Sequence, residues 1–214
     1  MLKIATAVKQ ILEADETAQE SIRRGFLNFS AYAKEIKPQV ELLTRKPVKK
    51  GSIVVALSRL EDKIQKKPPL KPQIELIDIS VKSPLTDITF ERTSRSIKKL
   101  AKLENLRADR NIFMAVTQGV DEITIIYSSE IEDKINEITK KFKPKARFDG
   151  LASITVQFSA DYIDIPNVLF TLISALAYKR INIIEIVSAY SELTFVIRKS
   201  DLTNTLQVLQ NYLA

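Results

Sequence analysis

Neither cysteine nor histidine occurs anywhere in the 214 residues. Without cysteine there are no disulfides and no thiolate chemistry. Without histidine the commonest general base and the commonest metal ligand are both gone, so no Ser-His-Asp triad can be built. Tryptophan is absent too, and glycine is scarce, standing only at positions 25, 51, 119 and 150. Glycines so dispersed form neither a P-loop nor a dinucleotide-binding turn. Long hydrophobic runs are also lacking. A stretch such as Ile53-Val-Val-Ala-Leu57 falls far short of the roughly 20 residues that span a bilayer. The amino end carries no long apolar segment of the secretory kind. The expectation is a cytoplasmic protein with no membrane span, no metal and no cofactor.

Hydrophobic residues make up 45% of the chain and charged residues 28%, ordinary values for a globular protein. The length suits one large domain or two to three small ones. The formal net charge of +7 is unevenly spread: residues 1–70 hold 14 Lys/Arg against 8 Asp/Glu, and residues 71–214 hold 19 against 18. The excess of positive charge belongs to the first third.

Residues 1–67 read as helical. Apolar periodicity predicts a helix over 2–12, a second from an Asp15 cap to about Arg24 with Gly25 as its stop, and a short helix 31–36 capped by Ser30. A further short helix follows from Pro38 to about Arg45. Lys49-Lys-Gly-Ser52 opens a stronger helix with Ile53, Leu57, Leu60 and Ile64 on one face and Ser58, Arg59, Lys63, Lys66 and Lys67 outward. This order of helices resembles a winged-helix DNA-binding domain, which implies phosphate contacts from Lys49, Lys50, Arg59 and Lys63. A plain helical bundle with solvated lysines accounts for the same pattern. Three prolines within Pro68-Pro-Leu-Lys-Pro72 mark a linker, because proline forbids a continuous helix.

Residues 73–149 alternate strand-like and helix-like segments. Strands are predicted over 73–81, 85–90, 111–117 and 122–127, with Gly119 in the last turn available for a positive φ. Helices are predicted after Thr93 or Ser94 and after Ser129. Acidic pairs such as Glu61-Asp62, Asp121-Glu122 and Glu132-Asp133 fit helix faces and turns and are read as surface, not as catalysts.

Residues 150–214 repeat that pattern more sharply. Ala152, Ile154, Val156 and Phe158 alternate with polar residues as a half-buried strand does. Pro166 suits a helix start, and Val168, Leu172, Ala175 and Leu176 form its apolar stripe. Two strands, 180–187 and 192–197, and a last helix with Leu202, Leu206, Leu209 and Leu213 complete the run. Glu122-Ile-Thr-Ile-Ile-Tyr before Ser-Ser-Glu parallels Glu192-Leu-Thr-Phe-Val-Ile before Lys-Ser-Asp, as a tandem duplication would.

The residues Val168…Ile173-Ser-Ala-Leu176…Ile181-Asn-Ile183…Glu192-Leu-Thr-Phe-Val-Ile197…Leu206…Leu209 resemble an ACT domain, most closely the carboxyl-terminal regulatory domains of aspartate kinases. The resemblance implies an α+β protein with tandem ferredoxin-like βαββαβ units, 73–149 and 150–214, after the helical domain 1–67 and the linker 68–72. It implies that the units exchange strands, with residues 74–81 or 145–149 completing the second sheet. It also implies a homodimer joined through the sheets and a small effector, usually an amino acid, at the first loop of the second unit. Where that family often has glycine after the proline, this chain has Asn167.

The candidate ligand residues are Ser159, Asp161, Asp164, Asn167, Val168 and Asn182. The unsatisfied amides at the helix start attract a carboxylate. Asp161 and Asp164 suit an ammonium, and Asn182 suits an ammonium or a side chain. Nothing in the first 70 residues resembles a kinase domain, so the expected protein is not an enzyme. Two outputs fit such a sensor, a regulatory module acting on a partner enzyme and a ligand-responsive DNA-binding regulator; the alternative is an assembly subunit of an amino-acid biosynthetic enzyme that binds nothing small.

Overall fold

The structure, a computed structural model, describes residues 2–106 and 112–213. The chain divides into two compact units, Met1–Pro72 and Gln73–Ala214.

The first unit packs α1 (Ile4–Glu13), α2 (Glu16–Arg23), α3 (Phe29–Thr44) and α4 (Lys50–Gln65). Asp15 caps α2 as expected, accepting the Ala18 N–H at 2.8 Å, and its other oxygen accepts the Tyr32 hydroxyl at 2.9 Å. Gly25 follows α2 with φ +76°, a conformation glycine adopts without a Cβ penalty. The two short helices expected around Pro38 are one, and Asn28, not Ser30, caps it by accepting the N–H groups of Ser30 and Ala31. The buried stripe of Tyr32, Ala33, Ile36 and Val40 runs straight past Pro38, and its burial outweighs the lost backbone bond. Ile53, Leu57 and Ile64 of α4 are buried in the same core. Lys49, Lys50, Arg59 and Lys63 are all exposed. Among the described residues of this unit no strand occurs, so the four helices lack the wing of a winged-helix domain.

The second unit is a curled, six-stranded antiparallel sheet with helices. Its elements are β1 (Leu76–Glu91), α5 (Ser94–Leu100), β2 (Met114–Gln118), β3 (Glu122–Ser128), α6 (Glu132–Thr139), β4 (Ala146–Phe158), α7 (Val168–Tyr178), β5 (Ile183–Ser188), β6 (Glu192–Arg198) and α8 (Leu202–Gln210). The strand order is β2-β3-β1-β4-β6-β5. The two strands expected over 73–81 and 85–90 are one. β1 runs on through a bulge between Lys82 and Leu85, around the cis Ser83-Pro84 bond. Its first half pairs with β4, from Leu76 opposite Phe158 to Lys82 opposite Ser153, and its second half lies between β3 and the start of β4. Residues 76–82 thus border the strands of 150–214, whereas Ala146–Phe148 pair with Asp87–Thr89, so of the two segments expected to complete the second sheet only the earlier one does. Gly150 takes φ +68° close to where β1 bulges.

Alternation decides what the strands bury. Ile154, Val156 and Phe158 of β4 join Leu193, Phe195 and Ile197 of β6 under α7 and α8, and Ile88, Phe90, Ile123, Ile125 and Tyr127 form the matching core under α5 and α6. A smaller cluster of Leu85, Ala115, Ile126, Leu151 and Val196 is also buried, and Asp87, Thr89, Thr124 and Ser153 are buried with little or no exposure. Thr93 is the cap of α5, in a reciprocal arrangement with Ser96. The strand expected to start at Asn111 begins at Met114, Asn111 itself lying outside the described residues, and Gly119 does not use a positive φ.

After α7 the chain turns by a Schellman arrangement: Ile181 N–H donates to Leu176 C=O and Arg180 N–H to Ala177 C=O, with Arg180 left-handed at φ 56°. Glycine favours that position. Arg180→Gly is therefore expected to stabilise the unit by about 0.5–1 kcal/mol, read as a higher urea midpoint with unchanged slope.

Candidate functional site

Within residues 158–193 a cavity of ≈ 490 Å³ opens between three segments. The first is the end of β4 with the loop after it, contributing Phe158, Tyr162, Ile163 and Ile165. The second is the start of α7, contributing Asn167, Val168, Leu169 and Phe170. The third is the turn between β5 and β6, Ser188 to Tyr190, with Leu193 behind it. The antiparallel register brings these together, because Gln157 at the end of β4 pairs with Glu192 at the start of β6.

The loop is shaped by local chemistry. The Ser159 hydroxyl donates to Asp161 at 3.0 Å and accepts the Asp161 N–H at 3.4 Å, starting a short 3-10 turn over Ala160–Asp164. Tyr162 is anchored from both sides. Its ring meets Phe158 edge-on, with centroids 6.1 Å apart, and its hydroxyl accepts the Glu75 N–H at 2.8 Å.

Asn167 stands at the bend between the loop and α7. It stands at the N-cap of α7 in the left-handed region, φ 69° and ψ 13°. Asparagine is among the few non-glycine residues that adopt this conformation readily, so it keeps the bend that a glycine would make. Its carbonyl accepts both the N–H and the hydroxyl of Thr171 at 2.9 Å, while its side chain makes no capping bond. The first amides of α7 have no intrahelical acceptor, and the residues that carry them line the cavity.

Of the six residues read as ligand contacts, Asn167 and Val168 line the cavity. Ser159 and Asp161 are engaged with each other in the loop turn, and Asp164 is exposed beside them. Asn182 is not brought to the cavity. It precedes β5, and the cavity lies at the far end of that strand, roughly 16–20 Å away at about 3.3 Å per residue. Sequence reasoning missed the apolar lining. The available signal was Leu169 and Phe170, large apolar side chains off the buried stripe of α7; they are 49% and 40% exposed.

No family model matches the sequence, and no curated protein matches it. The fold, however, is shared with the ACT-containing regulatory domains of aspartate kinases, including isolated regulatory subunits. The ligand-free regulatory subunit of aspartate kinase from Thermus thermophilus superposes with a TM-score of 0.54 at 11% identity, over 67% of this chain and 100% of that one. The allosteric aspartate kinase of Clostridium acetobutylicum gives 0.53 at 14% identity, over 67% of this chain and 36% of its own. Aspartate kinase from Synechocystis gives 0.51 at 16% identity, over 75% and 30%. The chain therefore spans about a third of the whole kinases. Among the described residues no helix is long and apolar enough to cross a membrane.

Proposed function

We propose that this protein is a non-catalytic regulatory module that senses an amino acid with an apolar side chain at the cavity beside Asn167. The reading treats residues 73–149 and 150–214 as two ACT-like, ferredoxin-type units, the second completed by a strand of the first. The register supports it. Around residues 73–149 the strand order is β4-β1-β3-β2, with that stretch's own Ala146–Phe148 at the border, and around residues 150–214 it is β1-β4-β6-β5, so the second unit takes its outer strand, residues 76–82, from the first. Isolated regulatory subunits among the structural neighbours support an existence apart from a kinase domain.

The observation that carries the ligand class is the cavity itself. Phe158, Ile163, Ile165, Leu169 and Leu193 offer an apolar bed, and the start of α7, whose first amides lack an intrahelical acceptor, offers the positive end of a helix to a carboxylate. Binding shifts a conformational balance only if two states differ in affinity. A homodimer whose geometry the ligand biases, with a partner enzyme as its output, meets that need.

The test is thermal unfolding in the presence of each of the twenty amino acids. A ligand at ten times its Kd stabilises by about 1.4 kcal/mol, a rise of roughly 3–6 °C for a protein of this size. One or two aliphatic or aromatic amino acids are expected to give that rise, and Leu169→Asp to remove it without lowering the ligand-free midpoint. Silence from all twenty would remove the sensing role, and a selective response to lysine or aspartate would overturn the apolar class.

A further inference from the structure

A second cavity, ≈ 330 Å³, lies in the helical layer of the first repeat, away from the site above. It is lined by Arg95, Lys98 and Lys99 of α5 and by Lys141 and Phe142 just after α6. Two runs of sequence without a carboxylate meet there: 92–102, with Arg92, Arg95, Lys98, Lys99 and Lys102, and 140–145, with Lys140, Lys141, Lys143 and Lys145. Two cations outside the cavity, Lys145 and Arg147, are paired with carboxylates. Lys145 pairs with Glu122 at 2.5 Å, and Arg147 with Glu132 at 2.6 Å and Asp149 at 2.8 Å. None of the four cations in the cavity has an ion pair among the described residues.

Lysines in the last turn of a helix are accounted for by its dipole, which covers Lys98 and Lys99. It does not cover Arg95, which sits in the first turn of α5, the end that disfavours a cation. Arg95 is held there over the Phe142 ring, its guanidinium carbon 5.8 Å from the centroid, and Phe142 is braced edge-on by Phe90 at 6.2 Å. A fixed guanidinium costs less entropy when it engages an anion, and its planar fork matches phosphate oxygens. Four like charges around one hollow repel each other until a counter-charge enters.

We propose that this cavity binds a compact polyanion carrying two or more phosphate groups, such as a nucleoside polyphosphate or inorganic pyrophosphate. A phosphate group carries roughly −1.5 to −2 at neutral pH, so two of them match four cations. Arg95 takes one phosphate in a forked contact, and the lysines close on the other from either side.

Calorimetric titration of the full chain with sodium pyrophosphate at low salt tests this. Saturable binding of one ligand per chain is expected. The triple variant Arg95→Gln/Lys98→Gln/Lys99→Gln is expected to weaken it at least about tenfold. A control variant, Lys49→Gln/Lys50→Gln/Lys63→Gln in the helical unit, is expected to bind as the parent does. Arg95 and Lys98 are exposed and Lys99 is half-buried, so both variants are expected to fold, which their unfolding midpoints verify; the single exchange Lys141→Gln serves should the triple variant fail. No saturable binding, equal loss in the control, or binding of an oligonucleotide that pyrophosphate does not displace would each overturn the proposal. The amino-acid scan reads a different site, so either result stands without the other.

Discussion

Phe158→Ala is expected to destabilise the carboxyl-terminal unit by about 3–5 kcal/mol. The ring is 8% exposed and closes the core under α7 at the end of β4, opposite Leu76 of β1. Its removal leaves a void in a region already hollowed by the cavity, and it takes away the edge-on partner of Tyr162, a contact of about 0.5–1.5 kcal/mol. Tyr162 ties the loop to Glu75, the residue just before β1, so the lesion reaches both the start of that strand and the loop that borders the proposed ligand site. Phe158→Leu is expected to restore most of the stability without the ring contact. Urea denaturation of the two variants reads this directly. A midpoint unchanged by alanine would show that the ring does not bear on the core.

Asp87→Asn is expected to stabilise the protein by about 2–3 kcal/mol at pH 8 and to do nothing below about pH 4. Asp87 lies in the middle of β1, opposite Ile126 of β3 and Phe148 of β4, and is only 2% exposed. Burial pushes its carboxyl up to about 6, with help from the charge of Glu185 on β5. Glu185 is itself raised by burial. The hydroxyls on the neighbouring positions, Thr89 and Thr124, bond each other at 2.9 Å, and among the described residues no hydrogen bond reaches the Asp87 carboxylate. The sign follows from the raised value. Below about pH 4 the group is protonated whether folded or not. As pH rises through about 6 the unfolded chain has already released its proton and the folded chain must ionise a buried acid, so stability falls and then levels off. Asparagine keeps the shape and removes the charge. Urea unfolding between pH 4 and 8 should show a decline in the parent and a much flatter line in the variant. A parent whose stability does not change over that range would contradict the burial of this acid.

Each element was legible where its cause is local. The alternation Ala152-Ser-Ile-Thr-Val-Gln-Phe158 sorts itself into two faces whatever lies beyond it, and all four apolar members are buried. Asp15 caps α2 because its acceptor is three residues from the donor. The stripe of Val168, Leu172 and Leu176 is likewise buried. Local signals misled at Pro38, where a residue that usually ends a helix sits inside one, because the apolar face on both sides is buried by other helices. They misled again at Pro84, where a break in periodicity marks a bulge within one long strand and not a gap between two.

The positions that line the cavity lie farther from the local pattern. The identity of Asn167 is written in the chain, but its left-handed φ comes from the geometry of the loop and α7 together. The cavity exists because β4, α7 and the β5–β6 turn converge from residues 158, 168 and 189, and periodicity carries no information about such convergence. Asn182 shows the same thing in reverse, since it is near in the chain to the strand that bounds the site and distant from the site in space. By itself the sequence determined the binary pattern and a cap such as Asp15, because these depend on contacts within a turn or between adjacent residues of a strand. Only the tertiary structure decided that residues 76–82 complete the sheet of 150–214, which carboxylate is buried against its preference and which cations share a hollow, because those outcomes depend on long-range pairing and on the solvent that packing excludes.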